Sequence, residues 1–161
     1  MTVPVATARM SQVIVAKAFT ELPPQVDKRT VIGLVAGGLV KAKLIPAQNL
    51  DGIVEEAMKR EVIGSTGIGH GIGIPHCRTP LVKEIICAYG HSAEGIDFDS
   101  LDGEPVHSVF LLLTPPDQRE QHLHLMRSFA SQIRKEHFCE FLHEVKTHQG
   151  LIDLLAEFEG R

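Results

Sequence analysis

Residues 60–78 read REVIGSTGIGHGIGIPHCR, with five glycines in the ten positions 64–73. Such runs admit φ > 0 and close backbone approach, and they leave amide N–H groups free to face an anion. Two familiar phosphate loops do not fit. A Walker loop needs Gly-Lys-Ser/Thr, and that tripeptide is absent. A dinucleotide fingerprint started at Gly67 puts its last glycine on Ile72, and one started at Gly69 puts it on Ile74. The glycines lead instead into Ile74-Pro75-His76, with Arg60 before the run and Arg78 after it. An imidazole with its ordinary pKa of about 6.5 is neutral and nucleophilic near pH 7. A histidine flanked by amides and guanidinium groups suits phosphoryl acceptance, a reaction that depends on positioning and charge stabilisation. A plain surface-loop histidine is the competing reading, and an Arg near a helix end is more often a solvated charge.

A second histidine stands at an informative place. His122 has Leu125, Met126 and Phe129 at +3, +4 and +7, so it shares the apolar face of a helix, while His124 falls off it. On spacing alone it is a core-edge histidine satisfied by backbone; the functional alternative is an imidazole that orients a group on His76. Ser65, Thr66 and the amide of Gly73 are anion-facing candidates, although Ser and Thr in such a run more often shape the turn. Cys77 next to His76 does not make a nucleophilic dyad, because adjacent side chains in an extended segment point to opposite faces. A metal site built from His70, His76, His122 and His124 lacks a ligand spacing that accompanies a carboxylate, so no metal is expected.

These residues need elements to hold them. The 161 residues fit a single domain over 1–161, able to bury roughly 70% of the unfolded chain's surface without disulfide staples. Sixteen Lys and Arg against 20 Asp and Glu argue against a general nucleic-acid binder. Cys77, Cys87 and Cys139 form no CxxC motif and are expected to be reduced. Arg9, Gln12 and Lys17 interrupt the N-terminal apolar stretch, so neither a signal peptide nor membrane insertion is expected, and the location is cytoplasmic.

Residues 12–18 alternate weakly as a strand ended by Pro23-Pro24, and residues 28–40 carry a helical stripe that Gly37 and Gly38 weaken. Pro46 suits a helix start, and Leu50, Ile53, Val54, Ala57 and Met58 make an amphipathic helix. Residues 64–73 read as a connector, residues 81–88 as a strand, residues 96–98 as a short alternating piece, and Asp102-Gly103 as a turn. Residues 106–113 (VHSVFLLL) form the best strand, central and covered on both faces. Asp117 and Glu120 match a capping box for the helix of His122. Two more helices are expected, around Phe138 to Val145 and Leu151 to Phe158, the last with Thr147 as N-cap. Interleaved strands and helices predict an α/β fold, a mixed sheet flanked by helices on both faces.

The run 60–78 resembles the active-site signature of the fructose/mannitol-class enzyme IIA domains of the bacterial phosphoenolpyruvate-dependent sugar phosphotransferase system, a class shared by the nitrogen-regulatory IIA proteins. That pattern is an Arg-Glu, a Ser/Thr-Gly-Ile-Gly stretch and a Gly-Ile-Ala-Ile-Pro-His ending. The later run GIDFDSLDGEPVHSVFLLLTPPDQREQHLHLM keeps the family's turn, strand, Pro and His-Leu order. The similarity covers about residues 28–158 and is weakest over 1–20. Gly73 stands where Ala is usual, and His70 where small or polar residues are common. The resemblance implies that His76 is phosphorylated, with Arg60 and His122 around it. It implies a histidine phosphocarrier protein as donor, and a IIB-domain cysteine or a regulatory target as the next partner. No cofactor and no nucleotide are implied.

Overall fold

The computed structural model describes residues 9–160. Residues 1–8 and Arg161 lie outside the described residues, and with them the first part of the N-terminal segment. A short helical turn α1 (Met10–Val13) leads into strand β1 (Ile14–Glu21), then into helices α2 (Lys28–Lys41) and α3 (Leu50–Ile63). Strands β2 (Gly67–Gly69), β3 (Ile72–Gly73), β4 (His76–Arg78), β5 (Ile86–Ile96) and β6 (Val106–Thr114) come next, then helices α4 (Arg119–Ile133), α5 (Phe138–Glu144) and α6 (His148–Glu159).

The sheet is mixed, in the order β1-β5-β6-β3-β2, with β4 also on β6. Strand β6 is central, as its apolar run requires. It pairs antiparallel with β5 on one edge and parallel with β3 and β4 on the other. Its side chains alternate between two cores. Val109, Leu111 and Leu113 join Val31, Val35, Leu39, Ile53 and Ala57 under α2 and α3. Phe110 and Leu112 join Leu125, Phe129, Phe138, Leu155 and Phe158 under α4 to α6. Helices therefore cover both faces, in agreement with the expected α/β class.

Helix α2 begins where expected, with Asp27 accepting from the Thr30 amide at 2.8 Å. Of its glycines, which lower helix propensity, Gly38 has a packing reason: a Cβ there would stand 3.2 Å from the Ala18 Cα of β1, whereas one at Gly37 would meet nothing within 4 Å. The helix lies that close to the sheet. Pro46 precedes a 3-10 turn, Ala47–Asn49, that runs into α3. Thr147 caps α6 by accepting from the Gly150 amide.

Four expectations need correction. The glycine run is a hairpin, not a connector: β2 and β3 pair antiparallel through a turn at His70 and Gly71, with φ of 59° and 75°. Positive φ at both central residues is the hairpin geometry whose twist suits paired strands. Residues 12–18 are not all strand, since Met10–Val13 is helical and β1 runs Ile14–Glu21. Residues 81–85 belong to a loop whose Val82 and Ile85 are buried, and β5 runs Ile86–Ile96 instead. The Asp117–Glu120 capping box does not form. The helix starts at Arg119 after Gln118, whose amide closes a turn on the Pro115 carbonyl and whose side chain donates to the Lys83 carbonyl.

Among the described residues no helix is long and apolar enough to cross a membrane.

Candidate functional site

Strand β4 sits beside the C-terminal end of β6, with His76 opposite Leu112, Cys77 opposite Leu113 and Arg78 opposite Thr114. Strand alternation turns His76 and Arg78 to one face and Cys77 to the other. Cys77 is only 3% exposed and packs in the α2–α3 core, where burial pushes its thiol up to about 11. It does not pair with His76.

On the other face His76 meets His122 from the first turns of α4. The ring centroids are 5.1 Å apart and the planes are inclined by 52°. Thus two histidines placed in separate elements by the sequence share one site. A hydrogen bond orients each ring. His76 Nδ1 lies 3.1 Å from the Ile74 carbonyl. A carbonyl can only accept, so Nδ1 carries the proton and Nε2 keeps its lone pair. His122 Nδ1 lies 2.9 Å from the hydroxyl of Thr114, the last residue of β6.

The surroundings keep both rings neutral. Burial lowers the His76 pKa; the Ile74 carbonyl opposes that, Arg60 lowers it further, Glu61 raises it, and Arg78 lowers it. His122 is pushed down to about 4, first by burial, then by His76 and by Arg78. Near pH 7 the site holds a neutral imidazole with a free Nε2, a second neutral imidazole, and two guanidinium charges within electrostatic range.

Arg60, in the last turn of α3, donates from Nη1 to the Gly64 carbonyl at 2.7 Å. That bond closes the helix end and keeps the guanidinium near His76. Ser65 and Thr66 have no uncommitted hydroxyl. Ser65 donates to the Phe98 carbonyl at 2.7 Å and accepts from the Gly67 amide at 3.0 Å. The buried Thr66 donates its hydroxyl to one oxygen of the Glu61 carboxylate and its amide to the other. Gly73 lies under Phe98, where a Cβ would stand 3.1 Å from the ring. These three residues shape the hairpin in front of His76. His70 is exposed at the tip of that hairpin and His124 lies elsewhere on α4.

The sequence offers Arg78 only as a guanidinium flanking His76, with no link to His122. Its charge reaches both histidines, whereas Arg60 is a cause of the shift at His76 alone. The signal was present: Arg78 is two residues from His76 in an extended segment, hence on the same face. Thr114 was missed because nothing in a strand's last residue announces a bond to a ring eight positions on.

Residues 14–158 match the model of the family described as phosphoenolpyruvate-dependent sugar phosphotransferase system, EIIA 2. A nitrogen regulatory protein of Pseudomonas aeruginosa is 32% identical over 152 residues, covering 94% of this chain and 97% of its own length. The crystal structure of nitrogen regulatory protein IIA-Ntr from Neisseria meningitidis shares the fold with a TM-score of 0.79 at 24% identity, covering 91% of this chain and 98% of that one. The fold also matches the Escherichia coli complex of enzyme IIAMTL and phosphorylated enzyme IIBMTL, with a TM-score of 0.70 at 19% identity, covering 91% of this chain and 97% of that one. With the family's model matched across both ends of the histidine pair's scaffold, from β1 to α6, this chain belongs to the EIIA 2 family of the phosphoenolpyruvate-dependent sugar phosphotransferase system.

Proposed function

We propose that His76 carries a phosphoryl group between two protein partners and that Nε2 is the atom that takes it. The observation behind this reading is the Nδ1 bond to the Ile74 carbonyl, which leaves Nε2 unprotonated beside the His122 ring. The donor is a histidine phosphocarrier protein. Its nitrogen–phosphorus bond breaks as the Nε2 lone pair forms a new one, and the donor imidazole leaves with the electron pair. His76 keeps its Nδ1 proton throughout. Arg60 and Arg78 offset the negative charge of the transferring group, and His122 steadies its oxygens. In the next step a cysteine thiolate of a IIB domain attacks the phosphorus and His76 departs as a neutral ring.

Exposed Val62 and Ile63 at the end of α3, and Leu123 beside His122, give such partners apolar surface to cover. The complex of enzyme IIAMTL with phosphorylated enzyme IIBMTL supports the choice of partner. All of this takes place in the cytoplasm, within a domain that spans the chain, with Ser65, Thr66 and Gly73 holding the loop that faces the phosphate.

A second reading is favoured by the likeness to a nitrogen regulatory protein along 94% of the chain. Here the phosphate on His76 is a signal. It adds roughly −1.5 to −2 charges and changes which regulatory target the protein binds. Pull-downs with and without phosphorylation separate the two: a target held in one state only supports signalling, and a IIB domain alone supports transport.

The test of the common core is intact-mass spectrometry after incubation with phosphoenolpyruvate, enzyme I and the phosphocarrier protein. The expected result is one acid-labile phosphoryl increment on the peptide containing His76, absent in a folded His76→Ala variant. Normal labelling of that variant would end the proposal.

A further inference from the structure

Glu61 has a side chain only 2% exposed, yet it is a carboxylate and no part of the histidine pair. Such a group is costly to bury without partners. Its partners are Lys28 Nζ at 2.9 Å, the Thr66 amide at 3.1 Å and the Thr66 hydroxyl. Lys28 comes from α2, is 12% exposed, lies 4.6 Å from the centroid of the Phe98 ring, and also has Asp99 at 3.8 Å.

A series of bonds joins His76 to this carboxylate. His76 Nδ1 donates to the Ile74 carbonyl at 3.1 Å, the Ile74 amide donates to the Thr66 carbonyl at 3.0 Å, and the Thr66 amide donates to Glu61. All three donors point the same way, toward the carboxylate. At Thr66 and at Ile74 the amide and the carbonyl belong to neighbouring peptide units joined at Cα, so the link is positional before it is electronic. Glu61 grips Thr66 by two atoms, Thr66 fixes the height of Ile74, and Ile74 aims its carbonyl at the ring. Lys28 anchors the far side of the carboxylate to α2.

We infer that Glu61, paired with Lys28, is a positioning residue that fixes His76 in its Nδ1–H tautomer through the backbone of Thr66 and Ile74. In metal sites a carboxylate behind a histidine sets its tautomer directly; here the same effect passes through two backbone links. The consequence is that Nε2 is presented as a lone pair before any partner arrives. The catalytic meaning rests on His76 being the phosphoryl acceptor, but the tautomer itself does not.

Nitrogen-15 NMR of the full chain carrying labelled histidine tests this, with no donor present and above pH 7. The wild type is expected to hold His76 protonated at Nδ1 alone. Glu61→Gln keeps the shape but loses the charge and one of the two acceptor oxygens that hold Thr66. Glu61→Gln with Lys28→Met does so without leaving a lone buried ammonium. Both are expected to populate the Nε2–H form. Phosphoryl transfer from the phosphocarrier protein is expected to fall about ten- to a hundred-fold in kcat with KM for the donor unchanged.

A wild type that already samples the Nε2–H form overturns the inference, whatever the variants do. So does a folded variant whose rate drops while its His76 tautomer stays as in the wild type, because Glu61 then only supports the loop. If the variants shift the tautomer and the wild-type His76 takes no phosphoryl group, the relay stands and the acceptor assignment falls.

Discussion

The hydroxyl of Thr114 lies 2.9 Å from Nδ1 of His122 and is the ring's hydrogen-bond partner in the site. Thr114 is 4% exposed, closes β6 opposite Arg78, and gives its carbonyl to the Thr79 amide. The hydroxyl thus ties the helix that carries His122 to the sheet that carries His76. Thr114→Val keeps the volume and deletes the bond. The ring is then free to turn, and its Nδ1 is left without a partner. Phosphoryl transfer through His76 should slow by about ten- to a hundred-fold, with a stability loss of about 1 kcal/mol. Thr114→Ser should restore the rate. Rapid-quench transfer measurements alongside urea unfolding check this; an unchanged rate would leave His122 with a packing role only.

Arg78 should tune both rings at once. Burial is the main reason the His122 pKa sits at about 4, and the His76 and Arg78 charges add to it. Arg78→Gln removes one positive charge, so both histidines should titrate at higher pH than in the wild type. Phosphorylation works in the same direction and more strongly for His122, since a dianion nearby favours the imidazolium. An NMR pH titration of the wild type, the variant and the phosphorylated protein reads all three. His122 titrating at one pH in all of them would mean that neither charge reaches the ring.

Much of this arrangement could be read from the chain, for definable reasons. The central strand β6 was legible because both of its faces are buried, which leaves Val109, Phe110, Leu111, Leu112 and Leu113 in an unbroken apolar run. Strand β5 was legible only at its start, Ile86 to Ala88, because Gly90, His91, Ser92, Glu94 and Gly95 fall inside the rest and its pairing with β6 is irregular between His91 and Ile96. The strands of the glycine-run hairpin are three and two residues long, too short for alternation to mark, and their glycines read as a flexible connector. His76 stood out by its motif, whereas helix phase only put His122 on the buried face of α4, and its place beside His76 came from the family resemblance. Lys28 and Glu61 were not legible, since an ion pair between two helices leaves no periodic trace and each residue alone looks like a surface charge.

Acid should weaken the fold before the carboxylates titrate. His76, His122 and His143 all have folded pKa values below the ordinary 6.5, each chiefly because of burial. Between those depressed values and 6.5 the unfolded chain binds more protons than the native one, so stability rises with pH across that window. Above 6.5 the contribution is fully present; as pH falls toward about 4, the folded value of His122, it is progressively lost. The depressed carboxylates act at the acid end: the contribution of Glu55, lowered from 4.5 by Arg29, begins to be lost below 4.5, and those of Asp27 and Asp102, lowered from 3.8, only below 3.8. Urea unfolding at several pH values from about 7 down to about 4 should therefore show a falling free energy with constant m. His122→Gln cannot take up the proton and should flatten the slope in that interval while leaving the region below it unchanged. A slope identical in the variant and the wild type would mean that the His122 ring is as free to protonate in the folded protein as in the unfolded chain, and the neutral partner inferred for His76 would be lost with it.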